Sequence, residues 1–213
     1  MLGFLGGTGP EGRGLAMRFA KSGEQVFIGS RTSERGIAAA RSLQQKVPSN
    51  IRGGTNEEAA ENSEVIFLAT PYEGLKATIK PIEGHLREKI VITVVAPLSF
   101  DNGKISSVPP KEGSAAVQIQ NTIPQSKIVG AFHNVSASDL LVPNKPIDCD
   151  VIVCSDDDDA KGYVIKLAEK IEGIRGVNGG ELENSKYVEE MTALLLNINK
   201  IYKAHTSIKI TGL

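Results

Sequence analysis

The segment Gly6-Gly7-Thr8-Gly9-Pro10-Glu11-Gly12 lies between the apolar run Met1–Leu5 and a helical pattern in which Leu15, Ala16, Phe19 and Ala20 recur before Gly23. Gly7, Gly9 and Gly12 satisfy G-x-G-x-x-G, and the strand before and helix after supply the context that gives this spacing meaning. Each glycine has its own steric task. Gly7 permits a tight turn, Gly9 lets a pyrophosphate approach the backbone, and Gly12 lets helix and strand pack closely. The helix N-terminus then offers free N–H groups and a partial positive charge to an anion. Glycine is enriched overall, 22 of 213 residues against a typical ~7%. The excess crowds here: Gly3, Gly6, Gly7, Gly9, Gly12 and Gly14 fall within fourteen residues. A dinucleotide-binding loop opening a βαβ unit is the reading.

Five short apolar runs, Met1–Leu5, Gln25–Gly29, Val65–Ala69, Ile90–Val95 and Ile128–Phe132, are continuous rather than alternating, as is a sixth, Val151–Cys154. Strands covered on both faces read this way. Helical patterns separate several of them; Ile37, Ala40, Leu43 and Val47 form one before Pro48. The expected fold is α/β, a doubly wound, mostly parallel Rossmann-type sheet with a short α-helical C-terminal appendage. From Pro97 to Gly113, rich in Pro and Gly, we expect a long loop over the carboxyl edge of the sheet. Lys186–His205 carries Val188, Met191, Leu194, Leu195, Ile198, Ile201 and Tyr202 at spacings of three and four, a long amphipathic helix. We expect one domain over 1–213, with a dinucleotide-binding core in 1–154 and an extension in 155–213 that completes a second-substrate pocket.

Net charge is −1, which argues against a nucleic-acid or anionic-membrane binder. No apolar run approaches the ~18 residues of a spanning helix, and the first residues lack the basic and apolar regions of a signal peptide. Cys149 and Cys154, five apart on a strand, should point to opposite faces and stay unpaired, which suits a reducing cytoplasm.

The type of dinucleotide is written at the end of the second strand. An NAD-binding unit places a carboxylate there for the ribose 2′-hydroxyl; this chain has Gly29-Ser30-Arg31, with Arg35 four residues on. A hydroxyl and two guanidinium groups suit a 2′-phosphate, so NADP(H) is expected, the competing reading being an exposed surface Arg pair. The other strand ends carry Ala69-Thr70-Pro71-Tyr72, Val95-Ala96-Pro97-Leu98 and Phe132-His133-Asn134-Val135. Tyr72 could flank the nicotinamide or be a loop aromatic. His133 could hydrogen-bond a substrate carbonyl, act as an acid, or be a satisfied strand-end histidine; His85 and His205 fall on surface helical segments. Asp156–Asp159 reads as a helix cap ahead of Ala160–Ile171 and lacks the spaced ligands of a calcium loop. No zinc spacing and no nucleophile elbow is present, so no metal and no obligatory catalytic side chain is expected. Hydride transfer, in which the cofactor carries the chemistry, fits that pattern. An imine reductase of the pyrroline-carboxylate type and a non-catalytic NADP-binding redox sensor are the alternatives.

L-G-G-T-G-P-E-G-R-G-L-A, I-G-S-R, F-H-N-V-S-A, C-S-D-D-D-D-A-K and L-E-N-S-K-Y-V-E-E-M-T-A-L-L-L-N-I together resemble the archaeal and actinobacterial NADPH:coenzyme F-420 oxidoreductases, nearly end to end and in order. The resemblance implies direct hydride transfer between NADPH and the deazaflavin coenzyme F-420, from nicotinamide C4 to deazaflavin C5. It implies that Thr8 to Glu11 line the pyrophosphate and that Ser30, Arg31 and Arg35 take the 2′-phosphate. Thr70, Pro71 and Tyr72 would border the nicotinamide half, and His133, Val135 and Ala137 would mark where the two rings meet. The last helix around Asn197 and the tail to Leu213 would close the deazaflavin pocket, and a homodimer is implied. The chain departs from the family pattern in a first strand one residue shorter, in Tyr72 for an expected Trp, and in Val135-Ser136 where many members have Ile-Pro.

Overall fold

The first apolar run forms β1 (Leu2–Leu5), and the helix after the glycine loop is α1 (Pro10–Lys21). A computed structural model describes all residues, 1–213. The chain continues through β2 (Val26–Ser30), α2 (Ser33–Gln44), β3 (Ile51–Thr55), α3 (Asn56–Glu61), β4 (Val65–Leu68), the short α4 (Leu75–Ile79) and β5 (Ile90–Thr93). A hairpin of β6 (Leu98–Asp101) and β7 (Lys104–Ser107) precedes α5 (Ala115–Thr122) and β8 (Lys127–Gly130). Then come α6 (Ala137–Leu140), β9 (Cys149–Val153), α7 (Asp158–Ala168), β10 (Ile174–Asn178) and α8 (Ser185–Tyr202).

Six strands make one sheet in the order β3-β2-β1-β4-β5-β8, every neighbouring pair parallel. The chain winds outward from β1 to β3 and then crosses to β4, so the order reverses between β1 and β4; the carboxyl ends there form the crevice where such sheets take ligands. Strand alternation feeds two cores. Val65 and Phe67 of β4 join Phe4, Phe19 and Val129 on one face, whereas Ile66 and Leu68 join Leu5, Phe27 and Ile128 on the other. Burial on both faces explains why the strands read as unbroken apolar runs. Phe4 and Phe67 stack at 4.5 Å between centroids, with Phe132 at 5.8 Å from Phe67.

The doubly wound, mostly parallel sheet and the C-terminal helix agree with the sequence reading, and four details correct it. Pro97–Gly113 is not a plain loop: Asn102 (φ 47°) and Gly103 (φ 75°) turn an antiparallel hairpin within it, both central residues left-handed as a two-residue hairpin requires. β3 and β10, with Arg and Gly in place of an apolar run, escaped the pattern. The run Ile128–Phe132 is strand only to Gly130; Phe132 adopts φ 68° and turns the chain. The last helix ends at Tyr202 with Lys203 at φ 51°, so His205 lies beyond it, and His85 sits in a 3-10 segment, Lys80–Leu86. Asp157 caps α7 through its carboxylate and the Ala160 N–H (2.7 Å), as the acidic run implied. Both cysteines are buried and unpaired, and no helix is long and apolar enough to cross a membrane.

β9 and β10 form a parallel pair that joins the end of β8 through the antiparallel bridge Gly130–Cys154. The tail runs beside β9: the Asp150 N–H donates to the Ile208 carbonyl (2.8 Å), and the Ile210 N–H donates to Asp150 Oδ2 (2.6 Å). Arg175 of β10 pairs with the fully buried Asp150 carboxylate. On α8 the apolar stripe is buried only near its start. Val188 and Ala193 are covered, but Leu194, Ile201 and Tyr202 are 58%, 72% and 74% exposed.

Candidate active site

The crevice begins at the glycine loop. Gly6, at φ 66°, turns the chain off β1, and its N–H is held by Asn56 Oδ1 at 3.0 Å. A Cβ on Gly7 would lie 2.7 Å from that of Phe4, and one on Gly12 would lie 2.8 Å from Gly7 Cα and 3.1 Å from Ala69 Cβ. Turn and helix therefore close only on glycine. Above Gly9 nothing lies within 4 Å. Gly9 is the N-cap of α1 with no capping side chain, and Pro10 follows at the first helical position, leaving the first-turn N–H groups of α1 without a side-chain acceptor. This cradle fits a pyrophosphate, one steric task per glycine.

Along the sheet edge, Ser30 ends β2 and is buried, while Arg31 and Arg35 project to solvent, Arg35 from the first turn of α2; neither makes an ion pair. Thr70 follows β4, packed against the Gly6 turn, its Oγ1 buried without a hydrogen-bond partner. Pro71 is exposed, and the Tyr72 hydroxyl donates to Gln118 Oε1 at 3.1 Å, which ties the 3-10 turn Tyr72–Gly74 to α5. At the far end His133 is 7% exposed, its ring turned toward the Val95 backbone without a well-formed hydrogen bond. Burial pushes its pKa down to about 4, so the ring is neutral near pH 7. From β2 to β8 the strand ends form a row of four intervals, about 19 Å at ~4.8 Å each.

The structure thus gathers Gly7 to Gly12, Ser30, Arg31, Arg35, Thr70, Pro71, Tyr72 and His133 along one edge. Ala137 opens α6 just beyond His133. The side chain of Val135 belongs to the core. Asn197 spends its amide on the Ile105 carbonyl (2.7 Å) and the Ala193 carbonyl (2.8 Å), fastening the hairpin to α8. Leu213 is exposed, its carbonyl 3.5 Å from Arg175 Nη1.

Several supporting residues escaped the sequence reading. Buried Arg18 of α1 donates to the carbonyls of Leu140 (2.9 Å), Asp139 (2.7 Å), Val142 (2.6 Å) and Pro143 (3.3 Å), fixing the segment after His133. Thr192 Oγ1 of α8 lies 3.1 Å from the His133 carbonyl. Buried Glu189, also on α8, accepts from the N–H groups of Ala115 (2.7 Å) and Ala116 (3.0 Å) at the start of α5, and burial pushes its carboxyl up to about 7.

A parallel sheet in this order with a glycine cradle at its switch point places the chain in the Rossmann class of dinucleotide-binding folds, with two unpaired guanidinium groups beside the second strand. Comparison with known proteins narrows this. Residues 1–97 match the family described as NADP oxidoreductase, coenzyme F-420-dependent. The F-420-dependent NADP reductase of Methanocaldococcus jannaschii is 40% identical, over 98% of this chain and 97% of that protein. The chain belongs to the F-420-dependent NADP reductase family. A crystal structure of a protein described as an F-420-dependent NADP reductase, from Arthrobacter sp. FB24, superposes with a TM-score of 0.85 at 25% identity, covering 99% of both chains. An imine reductase from Bacillus cereus superposes with a TM-score of 0.59 at 20% identity over 95% of this chain and 59% of that one, a likeness of fold alone.

Proposed function

We propose that the protein transfers a hydride between NADPH and the deazaflavin coenzyme F-420. The observation that carries this reading is the open, uncapped cradle above Gly9 lined up with two unpaired guanidinium groups, in a chain 40% identical to an F-420-dependent NADP reductase. When bound, the nicotinamide and deazaflavin rings supply the hydride chemistry themselves. Gly7, Thr8, Gly9, Pro10, Glu11 and Gly12 hold the pyrophosphate, and Ser30, Arg31 and Arg35 hold the 2′-phosphate. Thr70, Pro71, Tyr72 and Ala137 border the nicotinamide half. His133, neutral in its buried position, offers a ring N–H as a hydrogen-bond donor to the second substrate and is not an obligatory acid. Stacking in a dry cleft, with both rings oriented, supplies the rate enhancement.

Residues 1–154 serve as the dinucleotide core and 155–213 complete the second-substrate pocket. Val135 acts from beneath as packing, Asn197 through the hairpin it holds, and Leu213 through the tail beside Arg175. We place the protein in the cytoplasm as a homodimer. Free buried cysteines suit a reducing compartment, and the uncovered apolar stripe of α8 suits a second copy.

The test combines purified protein, NADPH and oxidised F-420 and follows loss of the deazaflavin's visible absorbance. Bleaching is expected with wild type. Arg31→Ala should raise KM for NADPH roughly tenfold or more with little change in kcat, and should narrow the preference over NADH. No bleaching with NADPH binding intact rejects F-420 as the acceptor, and an unchanged NADPH/NADH preference rejects the assignment of Arg31.

A further inference from the structure

Asn56 opens α3, a place where asparagine side chains commonly serve the end of their own helix. Here that task is already filled. Thr55 and Glu58 close the start of α3 between them: the Glu58 N–H donates to Thr55 Oγ1 (3.1 Å), and the Thr55 N–H donates to Glu58 Oε2 (2.7 Å). The Asn56 amide crosses instead to the glycine turn, where its Oδ1 accepts from the Gly6 N–H at 3.0 Å. A Cβ on Gly29 would lie 2.9 Å from Asn56 Oδ1 and 3.0 Å from Asn56 Cα, so this approach needs glycine near the end of β2.

The amide is thereby seated over the carboxyl ends of β1 and β2, where the Gly7 N–H also bonds to the Gly29 carbonyl (3.1 Å). Ser30 follows Gly29 and is paired with Thr55, the residue just before Asn56. Asn56 therefore stands between the pyrophosphate cradle and the Ser30–Arg31 end of β2, on the span that the adenosine ribose of a bound dinucleotide must cross. The orientation of its amide is dictated. The Gly6 N–H is a donor, so the oxygen faces it and the NH2 group faces away. Asn56 is half-buried, and its Nδ2 is open to solvent and has no hydrogen-bond partner in the protein. The pair of atoms also has the right charge. A carboxylate in this place would repel a 2′-phosphate, whereas an amide keeps the acceptor for the loop and turns a neutral donor outward.

We propose that Asn56 is a cofactor-binding residue that helps to select NADP(H): its Oδ1 holds the Gly6 turn, and its Nδ2 donates to the 2′-phosphate. This rests on the dinucleotide reading of the site. It adds to Ser30, Arg31 and Arg35 a neutral donor supplied from α3, and it makes one side chain set both the shape of the cradle and the choice of dinucleotide.

The experiment measures dissociation constants for NADPH and NADH on wild type, Asn56→Asp and Asn56→Ala. Asn56→Asp keeps an oxygen for the Gly6 N–H and replaces the outward donor with a carboxylate oxygen. Its Kd for NADPH should rise about thirtyfold or more, while its Kd for NADH stays within about threefold of wild type. Asn56→Ala removes both bonds, so both cofactors should bind more weakly, NADPH by a factor about tenfold larger. A second readout needs no cofactor. In the free protein the Gly6 amide should exchange with solvent as slowly in Asn56→Asp as in wild type, and faster in Asn56→Ala. A purely structural Asn56 would weaken NADPH and NADH alike. Equal weakening in either variant, or unchanged NADPH binding in Asn56→Asp, overturns the inference while leaving the dinucleotide site intact. Gly6 exchange indifferent to Asn56→Ala overturns the hold on the turn. Wild type that binds neither dinucleotide overturns both the inference and the reading on which it rests.

Discussion

Burial sets the protonation state of His133, and the same burial makes acid a threat to the fold. Its folded pKa lies near 4 against an ordinary 6.5, so the unfolded chain binds more protons throughout the interval between them. Stability on this account is complete above about pH 6.5 and is lost as pH falls toward 4, by up to about 3 kcal/mol. Chemical denaturation of wild type at pH 7 and pH 4.5 should show this loss, and His133→Asn should show a smaller one. An equal pH dependence in the variant would assign the loss to other groups. At this scale the sequence was legible where a residue's task is local. The glycines of the cradle act on their immediate neighbours, and Arg31 and Arg35 lie in step with a strand end and a helix start. Asn56, Arg18 and Thr192 were not legible, because their partners lie 50, about 120 and 59 residues away.

Elements were legible in proportion to how fully they are covered. β1, β4 and β5, apolar on both faces, announced themselves, but the edge strand β3 (Ile-Arg-Gly-Gly-Thr) did not. Its neighbourhood did carry a usable signal in Thr55 and Glu58, which form a capping box opening α3. The hairpin also carried one: Asn102-Gly103 between two short strands is a strong turn signal, masked by the surrounding prolines. Asn197 fastens this hairpin to α8, so Asn197→Ala should cost about 1 kcal/mol locally. Hydrogen exchange at the amides of β6 and β7 should then accelerate about fivefold while the six-stranded sheet keeps its protection. Unchanged exchange in the hairpin would mean that the Asn197 amide does not hold it.

At the scale of the whole molecule, α8 is covered at its start and bare toward its end. Tyr187, Leu194, Ile201 and Tyr202 are all more than half exposed, at spacings that keep them on one side of the helix. In the proposed homodimer this strip meets its copy, and sedimentation equilibrium should return twice the chain mass. Leu194→Asp combined with Ile201→Asp should return a single-chain mass with secondary structure retained. A wild-type monomer, or a charged variant that remains dimeric, would remove this strip from the interface. Covered elsewhere, α8 reaches back into the core through Glu189, which supplies the acceptor for α5 from 74 residues further along the chain. During synthesis α5 therefore emerges capped only by Ser114, which accepts from the Val117 N–H (3.0 Å), and the N–H groups of Ala115 and Ala116 wait for most of the remaining polypeptide. The last β strand of the main sheet, β8, is made inside that interval. β8 can pair with β5 before Glu189 exists, so it is the α5 edge of the cleft, not the sheet, that stays unfinished until α8 has left the ribosome.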